Sequence, residues 1–167
     1  RRRVFERVGL FDTSLIFGQL NANGQVWLLN PNGILFGAGA QVSVGSLIAS
    51  TLNISDADFL SGKRSFGTTG GTTGVVTNLG NLHAANGGYI ALLGARVSNE
   101  GTMVTQLGTA VLAAGEQITL DFAGDKLLDV QVDKGAFGAL VQNKQLIAAD
   151  GGTVLLTARA TDALLAT

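Results

Sequence analysis

Residues 28–37 read LLNPNGILFG and hold the only proline of the 167-residue chain, set between two asparagines and followed by glycine. Pro31 fixes its own φ and Gly33 tolerates a positive one. The side chains of Asn30 and Asn32 can satisfy backbone groups that a turn leaves without a partner strand. With apolar residues on both sides, the stretch predicts a strand, a tight turn and a second strand. Its place in the fold follows from what surrounds it.

The surrounding sequence alternates with period two. Ala40, Val42 and Val44 fall on one face with Gln41 and Ser43 on the other, and the pattern returns in residues 118–122 and 128–132. Each run is short and ends near Gly, Asn, Asp or Ser, as half-buried strands do. Internal repetition adds a longer period. At an offset of 21, Gly80 meets Gly101, Leu82 meets Met103, Gly87 meets Gly108, Ile90 meets Val111, Gly94 meets Gly115 and Val97 meets Ile118. At an offset of 64, Leu82, Ala84, Ala85, Gly87, Gly88 and Leu92 recur as Leu146, Ala148, Ala149, Gly151, Gly152 and Leu156. Gly18, Leu20 and Ala22 echo Gly80, Leu82 and Ala84.

Short strands repeating about every 21 residues with glycine at the corners describe one coil of a solenoid. Helical repeats would not tolerate this much glycine, and the Leu/Asn scaffold of a leucine-rich repeat is missing. The fold class expected is all-β, a parallel β-helix occupying residues 1–167 as a single segment. About eight coils would fit, a rod of roughly 35–40 Å at ~4.8 Å per rung. Two stretches break the rhythm. Residues 61–74 (SGKRSFGTTGGTTG) predict a projecting Gly/Thr loop or hairpin, and the charged residues 121–144 predict an excursion from the coil stack. Within the latter, Ala136, Phe137, Leu140 and Val141 share a helical face, so one short helix is predicted near 135–144, with a weaker one at 158–166.

Composition narrows the function. A net charge of −1 gives no attraction for nucleic acid or an anionic membrane surface. No Asp, Glu, Lys or Arg occurs from Thr13 to Ser55, yet Asn, Gln, Ser and Gly interrupt that stretch too often for a membrane span. Cysteine is absent, which removes disulfides, thiol catalysis and Cys-ligated zinc. His83, the only histidine, has no companion ligand. Asp56 and Asp58 suit a solvated turn. Asp121, Asp125, Asp129 and Asp133 lack the Gly and Glu of a calcium loop and read as a solvated face. Lys63 and Arg64 follow Gly62, but Ala57 stands where a phosphate loop needs glycine. Trp27 and Tyr89 read as packing residues. Asn53-Ile54-Ser55 is a formal glycosylation sequon. No catalytic residue, cofactor or metal is expected.

Residues 30–37 (NPNGILFG) resemble the NPNGI motif of the two-partner secretion domain, found at the N-terminus of filamentous haemagglutinin and related large exoproteins of Gram-negative bacteria. Residues 52–62 (LNISDADFLSG), 87–102 (GGYIALLGARVSNEGT) and 149–165 (ADGGTVLLTARATDALL) are similar to other parts of that domain in order and spacing. The resemblance implies a right-handed parallel β-helix with extra-helical elements. An N-terminal cap and earlier coils normally precede this region, so the chain is expected to be an internal segment of a longer exoprotein. It implies a segment that directs secretion and acts as a scaffold in an exported surface protein such as an adhesin. The partner implied is an outer-membrane transporter barrel with periplasmic domains. Host-cell glycans or receptors would be met through the rest of the protein. Asn30, Pro31, Asn32, Gly33 and Ile34 are the residues the resemblance marks as the secretion motif. The alternative from a different class is a polysaccharide-active or carbohydrate-binding β-helix, but between Thr13 and Asn99 only Asp56 and Asp58 offer carboxylates for a catalytic groove.

Overall fold

The computed structural model describes residues 3–7, 12–61, 64–67, 74–122, 128–136 and 138–161. After β1 (Arg3–Arg7), three strands make a coil: β2 (Ser14–Ile16), β3 (Gln19–Asn21) and β4 (Gln25–Leu29). The second coil is β5 (Ile34–Phe36), β6 (Gln41–Val44) and β7 (Ser46–Ser50). Helix α1 (Asp56–Ser61) and β8 (Ser65–Gly67) then leave the stack. The third coil is β9 (Val75–Asn78), β10 (Asn81–Ala84) and β11 (Tyr89–Gly94), and the fourth is β12 (Arg96–Asn99), β13 (Thr102–Gln106) and β14 (Thr109–Ala114). A second departure, β15 (Gln117–Phe122) and β16 (Leu128–Lys134), precedes the fifth coil of β17 (Leu140–Asn143), β18 (Leu146–Asp150) and β19 (Thr153–Ala158).

Equivalent strands of successive coils pair in parallel, giving three sheets in the orders β1-β4-β7-β11-β14-β19, β18-β13-β10-β6-β3 and β17-β12-β9-β5-β2. This is the parallel β-helix expected. The described residues make five three-stranded coils, with β1 as a further rung of one sheet, rather than eight, because the two departures consume residues without adding rungs. The period also slips. Leu82 pairs with Met103 as the 21-residue offset requires, but Ile90 pairs with Ala110 and not with Val111. The corner from β10 to β11 carries an extra residue, so Gly88, not Gly87, stacks on Gly108. Val97 stacks on Val141 rather than Ile118, because residue 118 has already left the coil.

Inward residues of the three sheets form one core that includes Phe36, Val42, Leu47, Val76, Leu82, Ile90, Val97, Met103 and Leu112. A second core lies outside the coil. The six-stranded sheet is covered by α1 and by an antiparallel sheet of order β16-β15-β8, which buries Trp27, Ile48, Phe66, Tyr89, Leu93, Val111 and Ile118. Trp27 and Phe66 are fully buried, where each contributes about 1.5–3 kcal/mol. Phe59 of α1 sits edge-on to Trp27 at 5.0 Å between ring centroids, and the Arg64 guanidinium lies 5.3 Å from the same ring. The Trp27 indole N–H donates to the Tyr89 hydroxyl (3.3 Å), which donates to Gln25 Oε1 (3.1 Å).

Two expectations need correction. Residues 140–143 form β17, not a helix, and Val141 faces inward against Val97. Gly138, at φ +65°, gives the preceding turn a backbone that no helix contains. The short helix lies instead at Asp56–Ser61, where Ser55 Oγ accepts from the Asp58 amide (3.0 Å) and two aspartates occupy the first turn. Residues 65–67 within the supposed Gly/Thr loop are a strand whose Phe66 is core, while residues 62–63 and 68–73 lie outside the described residues.

Two stacks of small or polar residues hold the corners. Glycines 45, 88, 108 and 152 approach so closely that a Cβ on Gly108 would stand 1.8 Å from the Gly88 carbonyl oxygen, and one on Gly152 1.9 Å from that of Gly108. At another corner, inside the coil, Asn78 Nδ2 donates to Asn99 Oδ1 (2.8 Å) and Asn99 Nδ2 to Asn143 Oδ1 (2.9 Å). Each of the first two asparagines also exchanges hydrogen bonds with the glycine two residues on. Leu107 departs from the corner chemistry: it holds φ +56° where Gly87 and Gly151 hold +76° and +71°. Its side chain is largely exposed, so Leu107→Gly should gain about 0.5–1 kcal/mol from relieved backbone strain, after the entropy cost of glycine. A urea midpoint below the parent's would show that the contact of Leu107 with Gly151 outweighs the strain.

Candidate functional site

The turn between β4 and β5 is where the marked residues gather. The Asn30 amide donates to Ser50 O (3.0 Å), extending the sheet by one step, and its carbonyl accepts from the Gly33 amide (3.1 Å), closing a β-turn over Pro31 and Asn32. Proline belongs at the first central position of such a turn because its φ is already set. Asn30 Oδ1 accepts from the Asn32 amide (3.0 Å) and from Asn32 Nδ2 (3.2 Å). On the opposite side, Asn30 Nδ2 donates to Asp12 O (2.8 Å) and Ser14 Oγ (2.9 Å). Its side chain therefore clamps the turn of the second coil to the start of the first. Thr13 Oγ1 and the Ser14 amide add hydrogen bonds to Asn32 O and Gly33 O.

Gly33 holds φ +123°, which favours glycine, and its carbonyl meets the first coil. Ile34 points into the main core at 1% exposure. Gly74 brings the third coil past the turn, and a Cβ there would lie 2.5 Å from Pro31 O. The five residues thus divide. Asn30, Gly33 and Ile34 are interior, whereas Pro31 is exposed and Asn32 half-buried. Pro31 stands between two open, uncharged grooves. One of about 420 Å³ runs along Asn32, Leu35, Val75 and Thr77, and one of about 510 Å³ along Thr51, Ile54, Ser65 and Gln117.

The lining of this corner offers amides, hydroxyls and backbone, and among the described residues no three His, Cys, Asp or Glu side chains converge. His83 is exposed on the outward side of β10, apart from the corner, and Trp27 and Tyr89 are packing residues as expected. Sequence reading did not find the residues that complete the corner, Asp12 and Ser14, because they precede it by a full coil. The asparagine column was missed as well, although Asn-x-Gly at 78–80 and again at 99–101 was a usable signal.

A parallel β-helix with one covered sheet and an Asn-Pro-Asn-Gly corner clamping its first coils has the features that the resemblance to the secretion domain of an exported exoprotein implies. The chain belongs to the TPS secretion domain family, whose model matches residues 2–167. It is similar to a solved structure, the HMW1 secretion domain from Haemophilus influenzae, with a TM-score of 0.81 and 29% identity over 93% of this chain and 43% of that one. A heme/hemopexin-binding protein of Haemophilus influenzae (strain ATCC 51907 / DSM 11121 / KW20 / Rd) is 30% identical over 165 residues, 93% of this chain but 18% of that protein's length. A second protein of that description, also from Haemophilus influenzae, is 41% identical over 51 residues, covering 30% of this chain and 6% of its own. Members of the family direct secretion through the periplasm to the cell surface or beyond, with an outer-membrane transporter as the second partner.

Proposed function

We propose that this chain directs secretion of a large surface protein and forms part of its β-helical scaffold, with no catalytic role. The corner Asn30 to Ile34 serves that export through architecture. The observation that carries this reading is the burial of Asn30 at 1% exposure between Asp12, Ser14 and Asn32. A side chain so enclosed acts on a partner by fixing the coil, and the surface left to be touched is Pro31 and the edge of Asn32. The transporter's periplasmic domains receive the polypeptide unfolded, and stacking of coils outside the cell draws folding forward one rung at a time. The effector carried downstream is an adhesin or another surface-binding function that meets host glycans or receptors through the rest of the protein.

The test is secretion of the full exoprotein co-expressed with its transporter, with folded stability measured in parallel. Asn30→Ala removes the hydrogen bonds it makes with the Asp12 carbonyl, the Ser14 hydroxyl and the Asn32 amide, a cost of about 2 kcal/mol, and secreted protein should fall with it. Pro31→Ala, which alters only the exposed ridge, should cost less than about 1 kcal/mol and leave secretion near the parent level. Loss of secretion in Pro31→Ala at unchanged stability would instead assign the turn to direct contact. Secretion independent of the transporter would overturn the reading as a whole.

A further inference from the structure

Asp12, Thr13 and Ser14 lie a full coil before the Asn30 to Ile34 motif, yet the turn is fastened to them by four hydrogen bonds. Asn30 Nδ2 donates to Asp12 O (2.8 Å) and Ser14 Oγ (2.9 Å), Thr13 Oγ1 donates to Asn32 O (3.2 Å), and the Ser14 amide donates to Gly33 O (3.0 Å). These contacts open the pairing of the first coil with the second. The ladder that follows is short: Ser14 pairs with Ile34, Leu15 with Leu35 and Ile16 with Phe36. In a strand a slip of one residue exchanges the two faces. Leu15 and Ile16 are both apolar, so the hydrophobic pattern accepts either one as the inward residue. The polar contacts decide between them. A slip in either direction carries the Ser14 hydroxyl off Asn30 Nδ2, a donor on a side chain only 1% exposed, and a buried donor left without an acceptor is costly.

We infer, resting on the reading that the corner serves export through architecture, that Thr13 and Ser14 are positioning residues for secretion. They act through Asn30 and Asn32 and set the register in which the second coil meets the first. Later coils build on that pairing, since Ile34 pairs with Val76, Val76 with Val97 and Val97 with Val141. The four contacts span only 16 to 19 residues of sequence, so they close at little loop-entropy cost as soon as the turn is free of the transporter. Ser14 is half-buried and Thr13 exposed, so either hydroxyl can be removed without emptying the main core.

The experiment is secretion of the full exoprotein co-expressed with its transporter, read as the ratio of released to cell-retained protein, with folded stability measured in parallel. Ser14→Ala should lower that ratio by about threefold or more, and Thr13→Val by less, because its hydroxyl bond is longer and exposed. Ser14→Thr keeps the hydroxyl and should stay near the parent. Ser14→Ala added to Asn30→Ala should cost little further stability, because the shared bond is already gone. The control is Ile147→Val in the fifth coil, whose side chain packs on the same core. It should be secreted near the parent level at a stability loss equal to that of Ser14→Ala. Equal secretion defects in those two variants would make Ser14 an ordinary packing residue and overturn the inference. Normal secretion of Ser14→Ala beside defective Asn30→Ala would overturn it and leave the export reading of the corner standing. Normal secretion of both would overturn that reading as well.

Discussion

Gly108→Ala should prevent the third, fourth and fifth coils from stacking in their native register. A methyl group on Gly108 would stand 1.8 Å from Gly88 O, and Thr105 Oγ1 lies 2.8 Å away on another side. Relief would require parting two strands whose ladder continues unbroken from Tyr89 to Gly94 against Thr109 to Ala114. Overpacking typically costs about 1–3 kcal/mol where side chains can yield. Here the obstacle is backbone, so we expect a loss of more than about 3 kcal/mol, or no folded product. Gly18→Ala is the matched control, since nothing lies within 4 Å of the added carbon, and it should stay within about 0.5 kcal/mol of the parent. Urea unfolding of the two variants decides the matter, and equal midpoints would refute the close stacking of the glycines.

Asn99→Asp should be nearly as damaging at neutral pH and should recover in acid. Asn99 is wholly buried, and its Nδ2 donates to Asn143 Oδ1, Gly101 O and Leu146 O. The second carboxylate oxygen of the variant would face those three acceptors with nothing to donate. An uncompensated charge of this kind costs about 3–5 kcal/mol. The protonated form restores one donor, so burial and the acceptors hold the folded carboxyl above the ordinary value of about 3.9. Below that value both states are protonated and the deficit is smallest. As pH rises the unfolded state ionises first, and the deficit grows until the folded carboxyl ionises too. Stability measured against the parent at pH about 4 and pH about 7 should therefore show a much narrower gap in acid. The same gap at both would mean that water reaches the column.

The β-helix was legible because its determinants are local and repeated. Leu20, Val42 and Leu82 do stack, and so do Leu92, Leu112 and Leu156. The register was less legible. One extra residue at the corner before Tyr89 makes the 21-residue offset hold only before it and the 64-residue offset only after it, and in a strand such a slip exchanges the two faces. Leu146 shows the result: its alignment with Leu82 would place it inside, yet it is 49% exposed while Ile147 packs inward. The supposed helix at 135–144 failed because four apolar residues fit either period, and only the stacking of Val141 on Val97 decides. The candidate corner was legible as a turn, from proline, glycine and asparagine chemistry. Its clamp was not, since Asn30 reaches back to Asp12, and no local pattern encodes that distance.

The cover over the six-stranded sheet sets an order in time. In folding that follows the chain from its start, as the proposed export requires, each coil needs only the one before it. The cover obeys another rule, because β8 cannot close until β15 arrives, and Gly67 pairs with Gln117, fifty residues later in the sequence. While the intervening coils form, the outward faces of Ile48, Leu93 and Val111 lack part of their roof. Closing the cover is therefore retrograde: a later segment turns back and seals work already done. Until that moment the emerging rod carries a greasy stripe along one side, open to any neighbour that meets it first.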